Sequence, residues 1–226
     1  MPLLGSAAML LSFDIDAEAI EEHDRWHTHE HLPERLSIPG FRRGTRWIAT
    51  DGEPRYMVLY EVESLDVLAS EAYLARLNNP SPWTGRMMPH YKGMNRGLCA
   101  VRGSFGFGQG GTAALIRFKP EEPASAELTR WLLEEALPAI PAMTGLGSAH
   151  LLEGAQAAAM TQEQRIRGAD SSVDSALILT GYDSAAVARQ TKELCGAPPL
   201  RDRCVASPNC AIYAMGYSLA RAEVGT

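Results

Sequence analysis

Four of the six histidines fall in one stretch, His23-Asp24-Arg25-Trp26-His27-Thr28-His29-Glu30-His31-Leu32-Pro33-Glu34-Arg35-Leu36. His23, His27 and His31 are spaced four apart, so on a helix they stack along one face. Two chemistries suit that spacing. A neutral imidazole with a pKa near ~6.5 takes a proton and returns it, so a pair serves as general acid and base. Alternatively, histidines at i and i+4 ligate one metal ion, with Glu30 or Glu34 as a third ligand. The glutamate of a zincin HExxH motif is missing, because Thr28, His29 and Glu30 fill the gap. The favoured reading is acid–base catalysis by His27 and His31 without a cofactor. It suits isomerisation, elimination or cyclisation of a small enolisable carbonyl compound, aromatic-derived or lactone-like. A divalent metal at His27, His31 and Glu34 is the alternative. His29 falls off the stripe and is expected at the surface.

Other side chains could complete a substrate site with His23. Tyr56 and Tyr60 occupy alternate positions of one strand, hence one face, and a buried phenol donates to a developing oxyanion. Arg43 and Arg46 point to opposite faces of their strand, so one of them, with Arg43 as the candidate, could clamp a carboxylate. Trp83, His90 and Tyr91 lie in or beside a Pro/Asn-rich stretch that could act as a lid. His150 has no obvious companions.

The elements that must hold these residues follow from periodicity. Ala8–Ile15 alternates apolar residues as a strand does. Asp16 caps a helix that carries the histidines to about Leu36 and stops at Pro39-Gly40. Strands follow over Phe41–Thr50 and Tyr56–Val62, joined at Asp51-Gly52. A helix over Leu65–Leu77, a loop over Asn78–Pro89 and a strand over Leu98–Phe105 complete a β-α-β-β-α-β, ferredoxin-like order. Gly103–Gly111 is glycine-dense and reads as a linker, since no Lys-Ser/Thr follows to make a phosphate loop.

The pattern then restarts. Trp26/Trp131, Phe13/Phe118, Leu32/Leu137, Pro33/Pro138 and Gly40/Gly145 all pair at an offset of 105 residues, the mark of an internal repeat. Under that offset His23, His27 and His31 align with Leu128, Leu132 and Ala136, the apolar stripe of a helix packed on a sheet. The first half therefore places imidazoles where its twin places core. Trp26, repeated as Trp131, reads as structural. In the second half a helix is expected over Ala124–Ile140, a strand over Gly145–Leu152 and a polar outward loop over Ala155–Ser172. A strand over Ser175–Tyr182, a helix over Ala185–Leu194 and a strand over Cys210–Leu219 complete it. The expected fold is α+β: two ferredoxin-like modules, residues 6–105 and 112–221, joined by a Gly-rich linker at 106–111. The first is the active half and the second is degenerate.

The chain's 226 residues suffice for a sizeable core, and its net charge of −6 argues against nucleic acid or anionic membrane as partner. No apolar run approaches the roughly 20 residues that span a bilayer. The start, Met1-Pro2-Leu3-Leu4-Gly5, lacks a basic segment and a long apolar run, so no signal peptide is expected and the chain reads as cytoplasmic. Cys99, Cys195, Cys204 and Cys210 form no CxxC pair and read as free thiols, though Cys204 and Cys210 could pair across their loop. A small-molecule substrate is the expected partner, with a homodimer possible.

The run Trp26-His27-x-x-x-His31-Leu32-Pro33-Glu34-Arg35-Leu36-x-Ile38-Pro39-Gly40-Phe41 resembles the EthD-like branch of the dimeric α+β barrel proteins. Tyr73-Leu74-x-x-Leu77-x-x-Pro80-x-x-Trp83-Thr84 is similar to the loop after their second helix. The resemblance covers Ala8 to Phe105. It implies that two ferredoxin-like units join sheet to sheet, here within one chain. The superfamily includes muconolactone-type isomerases, polyketide cyclases, cofactor-free monooxygenases and haem-handling proteins. The resemblance therefore leaves a metal- or haem-dependent oxidoreductase, or a non-catalytic ligand carrier, as alternatives. It also implies proton transfer by His27 and His31, while the degenerate second half, which departs from the family pattern, points to one site per chain.

Overall fold

The computed structural model describes residues 3–122, 124–155, 161–168 and 170–225. The first half contains β1 (Ala7–Ile15), α1 (Ile20–Trp26), α2 (Leu32–Leu36), β2 (Phe41–Asp51), β3 (Tyr56–Val62), α3 (Glu71–Asn78), α4 (Pro82–Met87) and β4 (Tyr91–Gly106). The second contains β5 (Thr112–Phe118), α5 (Ser125–Trp131), α6 (Leu137–Ala139), β6 (Leu146–Ala155), α7 (Gln162–Arg167) and β7 (Ser171–Ser172). It ends with β8 (Ser175–Gly181), α8 (Ser184–Gly196), α9 (Pro198–Arg201) and β9 (Asn209–Ala220).

Each half orders its strands as a ferredoxin-like sheet, β4-β1-β3-β2 and β9-β5-β8-β6. Two antiparallel seams, β2 with β9 and β4 with β6, close them into one eight-stranded barrel. Closure removes the sheet edges that would otherwise pair with other chains. The short β7 lies parallel to β4 at Asn95 and Arg96.

Strand alternation builds three cores. Leu10, Trp47, Met57, Leu59, Leu115, Ile178 and Tyr213 fill the barrel. Met9, Leu11, Phe13, Tyr56, Val58 and Tyr60 face outward and are covered by the first half's helices. Ile116, Leu128, Leu132, Leu151 and Leu177 do the same in the second half. The barrel interior is packed with side chains, and the space beside the histidines lies between the helical layer and the outer face of the first sheet.

The histidine helix is not uniform. A π-helical turn, His27–His31, separates α1 from α2. Pro33 explains it: proline has no N–H, and its ring crowds the carbonyl four residues back, so the turn before it widens. The second half repeats this at Leu132–Ala136, ahead of Pro138. Leu132 follows His27 by the 105-residue offset, and Gly40 and Gly145 both end their units at φ 91°.

Two expectations are corrected. Asn78–Pro89 is not all loop: α4 forms there because Ser81 accepts the Thr84 N–H at 3.0 Å and Pro82 starts the turn. The polar stretch Ala155–Ser172 does not simply loop out. Residues 156–160 and 169 lie outside the described residues, but α7 packs against the first half. The Thr161 cap, whose N–H donates to Gln164 Oε1 at 3.0 Å, starts α7. Among the described residues, no helix is long and apolar enough to cross a membrane.

Candidate functional site

His23, His27 and His31 are buried, as Leu128 and Leu132 are at the matching positions of the second half. His29 is exposed. The rings of His23, His27 and His31 run in file, with centroids 5.5 Å apart at each step. Trp26 packs 4.4 Å from His31. Its indole N–H donates to Glu30 Oε1 at 3.1 Å, and Ser81 Oγ donates to the same oxygen at 2.5 Å. Glu30 therefore ties α4 to the histidine helix.

His27 and His31 line a cavity of about 30 Å³ between the helices and the outer face of the first sheet. Met9, Leu11 and Phe13 floor it; Arg35, Tyr91 and Arg96 bring polar groups to it. The far wall is Thr161, Glu163, Gln164 and Arg167, all from the second half. Nδ1 of His27 and Nδ1 of His31 are buried and have no hydrogen-bond partner. Both imidazoles titrate well below the usual range, chiefly because burial disfavours the cation, and the neighbouring histidines and Arg35 add to the shift. They are neutral near pH 7, with lone pairs available, though the same burial weakens them as bases.

His23 does not line the cavity but connects to it. Its Nδ1 lies 3.3 Å from Asp24 Oδ1, and its Nε2 lies 3.3 Å from the hydroxyl of Tyr91, a lining residue. Burial works to raise the Asp24 carboxyl. Hydrogen bonds from His23 and Tyr56 and the Arg46 charge outweigh that and hold it low. An ionised Asp24 fixes the tautomer with a proton on Nδ1, so Nε2 accepts from Tyr91. The chain Asp24–His23–Tyr91 thus runs from a partly exposed carboxylate to the cavity.

The structure places the other candidates differently. The Tyr60 hydroxyl is 3.4 Å from His27 Nε2, so it backs the histidine rather than facing the cavity. The Tyr56 hydroxyl donates to Asp24 Oδ1 at 2.9 Å. Arg43 pairs with Glu61 at 2.6 Å, and it is Arg46, on the opposite strand face, that reaches the histidine helix at the Asp24 carbonyl, 3.1 Å away. The Trp83 indole donates to Glu22 at 2.8 Å on the outer side of α1. His90 pairs with Asp16. His150 has companions after all: Ser104 and Ser148 hold its two ring nitrogens at 2.9 and 3.0 Å, and burial pushes its pKa down to about 3.

Sequence reasoning missed Arg35, Arg96 and Glu163, and placed Tyr91 in a possible lid rather than in the cavity wall. Arg35 carried a signal, since it continues the four-residue spacing of the stripe. Its guanidinium is buried and pairs with Glu163 at 2.5 Å across 128 residues of chain.

A metal at His27, His31 and Glu34 does not fit. Glu34 turns to Arg76 at 3.4 Å and Arg35 at 3.7 Å. Among the described residues no three His, Cys, Asp or Glu side chains converge as ligands. The space beside His27 and His31, about 30 Å³, admits water but neither a porphyrin nor any other organic ligand unless a wall moves.

No protein-family model matches the chain, and no curated protein matches it. Solved structures of the same shape do. An anthrone oxidase-like protein matches with a TM-score of 0.64 at 11% identity, over 100% of this chain and 98% of that one. A candidate monooxygenase from Fusobacterium nucleatum matches at 0.60 and 9%, over 96% of each chain. A chlorite dismutase from Candidatus Nitrospira defluvii, crystallised with imidazole, matches at 0.54 and 12%, over 92% of this chain and 90% of that one. At such identities the likeness establishes the fold, an α+β barrel of the same shape, and no more.

Proposed function

We propose that the protein is a cofactor-independent oxidoreductase that deprotonates a small enolisable or phenolic aromatic compound and lets dioxygen oxidise the resulting anion. The observation that carries this is the pair of buried, neutral imidazoles at the cavity, each with an unpartnered Nδ1. With the Nε2 proton of His27 turned to Tyr60, Nδ1 holds its lone pair ready as a base. The cation of Arg35, beside the same cavity, favours the anion so formed.

An isomerase, lyase or cyclase would begin with the same proton abstraction. The neighbours described above carry oxidase, monooxygenase and chlorite dismutase names, and these support the oxidative course. For an anthrone-like methylene the step balances as follows. A histidine takes one C–H proton, and the carbanion passes two electrons to dioxygen to give, after protonation, a hydroperoxide. Loss of water then leaves the ketone, so one methylene and one dioxygen become one carbonyl and one water.

The test is dioxygen uptake with anthrone as substrate. Uptake with quinone formation is expected, unaffected by dialysis against a chelator. His27→Ala and His31→Ala each slow it about 10²–10⁴-fold, the usual contribution of a positioned base. Turnover of an enolisable substrate to an isomer without dioxygen uptake, or full uptake in both variants, overturns the reading.

A further inference from the structure

We propose that Glu163 occupies the place of a substrate carboxylate, and that an aromatic carboxylate enters by displacing α7 from Arg35. This deepens the proposed function by naming its substrate class, and rests on the same cavity being the site.

Size is the first argument. A space of about 30 Å³ holds water, whereas pockets for organic ligands run to several hundred Å³. Something must move for any substrate to reach His27. The other walls are barrel strands, the histidine helix, and Tyr73 and Leu77 of α3 with Met88, all held in the first half's apolar core. The wall from the second half is α7, six residues long. Its ties to the first half include the Arg35–Glu163 pair, the Gln162 N–H donated to Asn78 Oδ1 at 3.1 Å and the Arg167 guanidinium over Tyr91 at 5.8 Å. Gly168, with φ 105°, ends it, a backbone conformation that glycine takes without strain.

Charge is the second argument. Glu163 is the one carboxylate among the described residues that line the cavity, against Arg35 and Arg96, while Arg167 is already paired with Asp170 at 2.7 Å. A buried guanidinium without a hydrogen-bonded carboxylate is disfavoured, and with Glu34 no nearer than 3.7 Å it is Glu163 that supplies that bond here. Glu163 answers it incompletely. It engages Nη2, while Nη1 is buried without a hydrogen bond and has only the Glu34 carboxylate, 3.7 Å away, as an ion-pair partner. A carboxylate that approaches in plane engages both nitrogens at once. When α7 lifts, Glu163 leaves for water and a substrate carboxylate takes both prongs, which sets the aromatic ring against Phe13 and the histidines.

The test uses the full chain, 2-naphthoate and its neutral counterpart 2-naphthalenemethanol, with binding read by calorimetry and α7 read by amide exchange. The naphthoate is expected to bind at least tenfold tighter than the alcohol. Glu163→Gln tightens naphthoate at least fivefold and leaves the alcohol unchanged. The charge-balanced double variant Arg35→Met/Glu163→Gln abolishes the preference. In the unaltered protein, naphthoate speeds exchange over Gln162–Arg167 and slows it over the histidine helix. Equal binding of the two probes, no binding of naphthoate, no gain in Glu163→Gln, or slower exchange in α7 would each overturn the proposal. Dioxygen uptake separates the two claims. Oxidation of neutral anthrone alongside indifference to naphthoate removes the carboxylate and keeps the oxidase. Tight naphthoate binding with no uptake of dioxygen on any substrate removes the oxidase and keeps the pocket.

Discussion

Tyr60 stands behind His27, its hydroxyl 3.4 Å from Nε2 and its ring outside the cavity wall. Burial raises the Tyr60 phenol, so it stays protonated at any working pH and acts through hydrogen bonding alone. A phenol can donate to Nε2 or accept from it, and the proposed base requires that Tyr60 accept, leaving the Nδ1 lone pair free. Tyr60→Phe leaves Nε2 buried without a partner, at a cost of about 1–3 kcal/mol in stability. The tautomer is then no longer held, so kcat for dioxygen uptake is expected to fall about tenfold. KM changes little, because Tyr60 touches the base and not the substrate. A KM effect larger than the kcat effect would place Tyr60 against the ligand instead.

The Asp24–His23–Tyr91 chain makes a separate prediction. Tyr91 is the only member that lines the cavity, so Tyr91→Phe breaks the link between the cavity and the partly exposed carboxylate. If protons leave by this route, kcat falls and the solvent deuterium isotope effect on kcat grows, while His27 remains competent. His23→Gln should lower kcat similarly, and combining the two should add little, since both interrupt one path. Strictly additive losses would show that they act separately.

Acid stability follows from the buried imidazoles. His23, His27, His31 and His150 all have folded pKa values below the ordinary one, each chiefly because of burial. Unfolding restores values near 6.5, so between that pH and the folded values the unfolded chain binds more protons. Stability is therefore full above about pH 7 and falls as pH drops below 6.5, by up to about 1.4 kcal/mol per pH unit for each histidine involved. Urea midpoints measured from pH 8 to pH 5 check this. The His150→Leu variant, outside the cavity, should flatten the curve while leaving dioxygen uptake per folded molecule unchanged. A midpoint that does not move over this range would mean the imidazoles are hydrated.

The sequence exposes the histidine face because its twin half supplies a control. Leucines at the positions of His23 and His27 fix which side of the helix looks inward, and the buried rings agree. Arg43 was the harder choice: alternation said that Arg43 and Arg46 point apart but not which side meets α1, and the structure gives that side to Arg46. The π turn was readable in principle from Pro33, as was Arg35 from the spacing of the stripe. Glu163 was not. Its partner lies 128 residues away, and no local periodicity reports a contact made by closing a barrel from two halves. The Asp24–His23–Tyr91 chain shares that limit, since Tyr91 begins a strand far along the chain from its histidine.

Gly40 and Gly145 offer a last test of how alike the two halves are in their packing. Both sit at φ 91°, where a side chain costs about 1–2 kcal/mol through strain alone. Their surroundings differ. A methyl on Gly40 would lie 2.4 Å from Cγ2 of Val67, the end of a side chain that can rotate. On Gly145 it would lie 2.4 Å from Cβ of Ala186, which moves only if α8 moves. Gly145→Ala is therefore expected to cost about 3 kcal/mol and Gly40→Ala about half that, from denaturant midpoints at constant m. Gly145→Ala, remote from the histidines, should leave dioxygen uptake per folded molecule intact. Equal costs at the two positions would show that α8 yields as readily as a valine rotamer, and that the second half is packed less firmly than its buried leucines imply.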